Sequence, residues 1–132
     1  MNMKILIITC CLFALLGIWI VAAAAGTSAG KGTLRHVVAF KFKETTTPEQ
    51  VKQVEDAFRA LKTKIPQIVS FEWGTNISTE KFDKGFTHGF ILGFKNDKAR
   101  DAYLVHPDHK KFADRAGPLL ADIFVIDFQV KN

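Results

Sequence analysis

The sequence predicts an α+β domain of order β-α-β-β-α-β, preceded by a segment outside that domain. Three observations carry this. Alternating apolar positions mark strands, one stripe at three- and four-residue spacing marks a long helix, and the first apolar run shows neither period. In that run, positions 5–25 hold 19 apolar residues out of 21, broken only by Thr9 and Gly17. It contains both cysteines, Cys10 and Cys11. The body after residue 25 therefore has no cysteine, which excludes a disulfide scaffold, a cysteine nucleophile and a cysteine zinc site. With 132 residues in all and 25 set aside, the body is 107 residues long, room for one domain.

The leader is read first. Met1–Lys4 is short and positive, Ile5–Val21 is apolar, and Ala22–Ala25 supplies small residues. That is the order of a secretory signal peptide cut after Ala24 or Ala25, with Ala29 as a later option. The alternative is an uncleaved anchor, since a 21-residue helix reaches about 31 Å. Either way the body is expected to be exported, secreted or periplasmic, and to touch a membrane only if residues 5–25 stay attached. Residues 26–33 are small and polar and read as a linker.

The body follows from Leu34 to Val130. Leu34–Lys43 alternates as a strand, with His36, Val38, Phe40 and Phe42 on one face. Thr47, Pro48 and Gln50 form a capping box with proline at the first helical position. Val51, Val54, Phe58, Leu61 and Ile65 then make one apolar stripe, and Pro66 ends the helix. Ile68–Asn76 is a second strand, and Gly74–Gly85 a polar connection. Phe86–Lys95 is a third strand, with His88, Phe90, Leu92 and Phe94 on one face. Gly89 and Gly93 lie on the other, where a helix is expected to approach. Asn96 or Asp97 caps a short helix over 98–105, and Pro107 restarts it with Phe112, Ala116, Leu119 and Leu120 inward. Ile123–Val130 is the last strand.

This order is the ferredoxin-like arrangement. The first and third strands share the string His-x-Φ-x-Φ-x-Φ (Φ apolar), at His36–Phe42 and His88–Phe94. Taken as parallel neighbours, they place His36 and His88 side by side at one end of one sheet face. Two helical segments cover one face of a sheet, so the other needs a second copy of the chain. The expected architecture is a homodimer, sheet against sheet, with a pocket between them lined by His36, Phe40, His88 and Phe90.

The strings His36–Lys43, Ile65-Pro66, Phe71–Asn76, Gly85-Phe86-Thr87-His88, Ala102-Tyr103 and His106-Pro107-Asp108-His109 resemble the stress-responsive dimeric α/β barrel (Dabb) family over 34–130. The resemblance implies the same fold and dimer. It also implies that Tyr103 and His109 stand at the catalytic Tyr and His of a polyketide-cyclase member, where the histidine is a base and the tyrosine holds a substrate oxygen. Spacing alone argues against a shared face, because the two are six residues apart on a continuous helix; a bend at His106-Pro107 between them is one way to turn both inward.

Two functions follow. The favoured one is an exported stress-response dimer that binds a small hydrophobic molecule without an established reaction. The other is a lyase or isomerase with His109 as general base and Tyr103 as anchor, so the chain is not assigned as an enzyme or a non-enzyme. His106, Asp108 and His109 have donor chemistry for a divalent ion. A pair of imidazoles beside a bend lacks a fixed third ligand, and no metal or cofactor is expected. Scattered lysines give no basic stripe for nucleic acid, despite a net charge of +5.

Overall fold

The computed structural model describes residues 33–131. The expected leader or anchor, 1–25, lies outside the described residues, as does the linker 26–33 up to its last residue. No helix among the described residues is long and apolar enough to cross a membrane.

The elements are β1 (Leu34–Phe42), α1 (Pro48–Lys64), β2 (Ser70–Thr75), β3 (His88–Phe94), α2 (Asp97–Leu104), α3 (Pro107–Ala116), a 3₁₀ turn (Gly117–Leu119) and β4 (Leu120–Gln129). This is the ferredoxin-like α+β fold, with the second helical segment broken in two. Local chemistry explains the ends. Thr47 accepts from the Gln50 amide while the Gln50 side chain accepts from the Thr47 amide, and Pro48 stands first in α1. Asn96 caps α2 through the Ala99 amide.

The four strands form one sheet in the order β2-β3-β1-β4, every pair antiparallel. This corrects the parallel pairing expected for β1 and β3. In the observed register Phe40 faces His88 and His36 faces Leu92. The matching strings therefore run head to tail, and the two histidines lie at opposite ends of the face. The reason is topological. The crossover through α1 makes β1 and β2 point the same way, and the turn to β3 reverses the direction.

The helices cover the face carrying Leu34, His36, Val38, Phe40, His88, Phe90, Leu92 and Phe94, all buried. Phe58 of α1 packs at 4.5 Å from both Phe90 and Phe112 and at 5.7 Å from Phe40, ring centre to ring centre. The Phe-rich face is thus the core of a single chain, which corrects its assignment to the space between two sheets. The uncovered face is the opposite one. Val37, Ala39, Gly89 and Ile91 lie there with Phe124, Ile126 and Phe128, the last three about half exposed. Gly89 and Gly93 accordingly face away from the helices. At Gly93 the Ser70 side chain from β2 occupies the space a Cβ would need.

Phe58→Ala removes the ring at the centre of this stack. It should lower unfolding free energy by about 3–5 kcal/mol, read by chemical denaturation. Thr47→Ala, which removes only the cap, should cost about 1 kcal/mol.

Candidate functional site

A cavity of about 570 Å³ opens on the helix side, between α2, α3, β1 and the outer strand β4. Its wall is largely apolar: Val38, Phe40 and Phe58 on one side, Ala113, Ala116 and Gly117 on another, and Ile123 and Val125 on β4. Four polar residues line it, His36, Tyr103, His109 and Asp122.

Pro107 brings Tyr103 and His109 together. A residue before proline is pushed out of the α region. His106 is extended at φ −64° and ψ 136°, and its Nδ1 accepts from the Asp108 amide to cap α3. The helix therefore stops at Leu104 and restarts at Pro107 in a new direction. The Tyr103 and His109 rings then lie 4.3 Å apart.

The imidazole proton of His109 is assigned by geometry. Its Nδ1 lies 3.0 Å from the Leu104 carbonyl oxygen, which can only accept. Nδ1–H donates there, and Nε2 keeps the free lone pair. Burial holds the His109 imidazole below its ordinary value. His36 and His106 push the same way, and the Leu104 carbonyl opposes them. The imidazole is neutral near pH 7.

Tyr103 is 1% exposed, and no hydrogen bond to its hydroxyl is found among the described residues. Burial pushes the phenol well above its ordinary value, so it is a neutral donor. His36 lies 5.8 Å from the Tyr103 ring. Its Nδ1 is 2.7 Å from an Asp127 carboxylate oxygen on β4, which makes Nδ1–H the donor again. The second Asp127 oxygen accepts from Arg100 of α2 at 2.5 Å. Two imidazoles thus present Nδ1–H outward and leave Nε2 unclaimed.

Of the residues expected to line a pocket, His36 and Phe40 border this cavity, whereas His88 and Phe90 border a second hollow together with Val37, Ala39, Gly89 and Ile91 of the uncovered face. The cavity is intrachain and on the helix side. His88 is bound at the far end, with Nε2 2.9 Å from Glu55 and Nδ1 2.8 Å from the Thr87 hydroxyl. Sequence reading missed Asp127 and Arg100. Asp127 had a signal, being a lone acid within the otherwise apolar Ile123–Phe128. Arg100 had none. Among the described residues no group of three or more His, Cys, Asp or Glu is placed to hold a metal ion.

The sequence matches the model of the stress responsive A/B barrel domain over residues 34–130. It is 31% identical over 99 residues to the stress-response A/B barrel domain-containing protein HS1 of Arabidopsis thaliana, covering 75% of this chain and 91% of that protein. It is 23% identical over 95 residues to olivetolic acid cyclase of Cannabis sativa, covering 72% and 94%. Among solved structures, a dimeric ferredoxin-like protein of unknown function from Thermobifida fusca superposes with a TM-score of 0.66 at 26% identity, covering 76% and 92%. Hydroxynitrile lyase from Passiflora edulis superposes with a TM-score of 0.73 at 22% identity, covering 77% and 96%.

Tyr103→Phe should change stability by less than about 1 kcal/mol, because an unpartnered hydroxyl contributes no hydrogen bond to lose. Thermal unfolding checks this. His109 has a lowered folded-state value, so below its ordinary 6.5 the unfolded chain binds more protons than the folded one. Stability should fall as pH drops through 6.5 toward the lowered value. His109→Asn should remove that part of the slope.

Proposed function

The chain belongs to the stress-responsive A/B barrel domain family, and on that premise we propose that it binds a small apolar carbonyl compound in the helix-side cavity and moves a proton on it. The observation that carries this reading is the pairing of Tyr103 with His109. A buried, unpartnered phenol lies against an imidazole whose Nδ1–H is already committed, so Nε2 is free to act as base. Nε2 takes a proton from the carbon next to the carbonyl and, as Nε2–H, returns it to the product. The Tyr103 hydroxyl donates to the carbonyl oxygen as negative charge gathers on it. The reaction class is lyase or isomerase. Two relatives carry names in that class, a cyclase and a hydroxynitrile lyase, each for its own substrate.

A second reading keeps the ligand and omits the reaction, as a non-catalytic stress-response binding protein. It is favoured by the predominantly apolar lining. Turnover of aromatic hydroxynitriles and of linear polyketide thioesters, with product detected by mass spectrometry, separates the two. A proton-transfer enzyme should lose about 10²–10⁴-fold in rate in His109→Ala. Its rate should rise with pH along a limb centred below 6.5, as the lowered His109 value requires. A full set of inactive substrates with a retained ligand would leave the binding protein.

The assembly we propose is a homodimer through the uncovered sheet face. Solved relatives described as dimeric support this, as do the half-exposed Phe124, Ile126 and Phe128. Native mass spectrometry should give twice the chain mass, and Ile126→Glu should give the single mass. We also propose export through residues 1–25, supported by their apolar run. N-terminal sequencing of the protein from its own cells should start at Ala25 or Gly26.

A further inference from the structure

We infer that Arg100 is the positioning residue of the cavity, holding Asp127 so that His36 keeps Nδ1–H outward and Nε2 toward the cavity. This rests on the reading of that cavity as a ligand site, and it adds a group outside the Tyr103–His109 pair.

The relay is built from three elements. His36 on β1 and Asp127 on β4 are direct cross-strand partners in the antiparallel register, on the helix-covered face. Such partners are close enough to touch side chain to side chain. Either carboxylate oxygen would hold Nδ1–H alike, so the tautomer depends on the carboxylate staying at the ring, and the Asp127 side chain, 29% exposed, has solvent to turn toward. Arg100 removes this freedom. Its terminal nitrogen takes Oδ2 at 2.5 Å and leaves Oδ1 for His36 at 2.7 Å. The guanidinium is itself held, because its Nε donates to Asp101 at 2.7 Å. The planar fork of arginine serves two carboxylates at once, which a lysine ammonium on a flexible stem does less well.

Arg100 also precedes Tyr103 by three residues, on the same side of α2. One guanidinium therefore ties the helix carrying the phenol to the strand carrying Asp127. A second tie runs parallel, from the Gln129 side chain to Asp97 at 3.2 Å. The helix thus has another hold on β4 when Arg100 is replaced, so loss of Arg100 should act on His36 more than on the fold. The groups facing His36 are Asp127 from β4, Arg100 and Tyr103 from α2, and His109 from α3.

The test is the tautomer of His36, read from imidazole ¹⁵N shifts of the full chain in mild detergent, at a pH where the ring is neutral. Wild type should give a single Nδ1–H signature. Arg100→Gln should give a mixture of Nδ1–H and Nε2–H forms, and Arg100→Lys an intermediate result. A His36 signature unchanged in Arg100→Gln overturns the inference, since Asp127 would then suffice alone. If Arg100→Gln does not fold, Arg100→Met keeps the apolar stem and removes the guanidinium from Asp127. A shift toward the mixture there supports the inference, and an unchanged signature overturns it. Failure of the ligand-site reading is seen separately, as a wild-type cavity that retains no compound.

Discussion

Phe58 lies against Phe40, Phe71, Phe90 and Phe112, and this aromatic packing decides which face of the sheet the helices cover. Both faces are apolar, so hydrophobicity alone does not choose. The rings do, because Phe40 and Phe90 stand together at the sheet centre where Phe58 of α1 and Phe112 of α3 meet them, whereas the other face carries its rings, Phe124 and Phe128, on the outer strand β4. Burying that central cluster contributes more than burying the valine, alanine and isoleucine at the centre of the other side. Once that choice is made, the cavity forms where the helix layer stops short of β4, and the opposite face is left without a helix over it.

The cavity owes its chemistry to a local backbone constraint. Pro107 forces His106 into an extended conformation, and the break turns two residues that one helix would separate into ring neighbours. The same break frees the Leu104 carbonyl at the end of α2, where it receives the Nδ1–H of His109. An unsatisfied helix terminus thus sets the tautomer of an imidazole. Asp127 does the equivalent for His36 from the opposite wall. The site therefore follows from how two secondary-structure elements end and meet, with few residues specialised for it alone.

Much of this was legible in the residues. The capping box at Thr47–Gln50, the stripe from Val54 to Ile65 and the break at Pro107 are local, and each was read within a residue or two of where it stands. Tyr103 and His109 were singled out by resemblance, and the proline explained in advance how they meet. The histidines of β1 and β3 were read less well. Identical strings invite a parallel match, and nothing local in either strand reveals that the chain reverses between β2 and β3. His88 consequently sits with Glu55 and Thr87, far from the cavity.

The sequence by itself determined the element order, the helix ends, the cysteine-free body and the presence of two apolar sheet faces, since each depends on neighbours along the chain. Only the tertiary structure decided strand direction, which face the helices take, and the relay from Arg100 through Asp127 to His36. Those rest on contacts between residues far apart along the chain, 91 positions for His36 and Asp127. Such contacts are set by the register of β1 against β4 and by the packing of α2 across them, and no local periodicity encodes either.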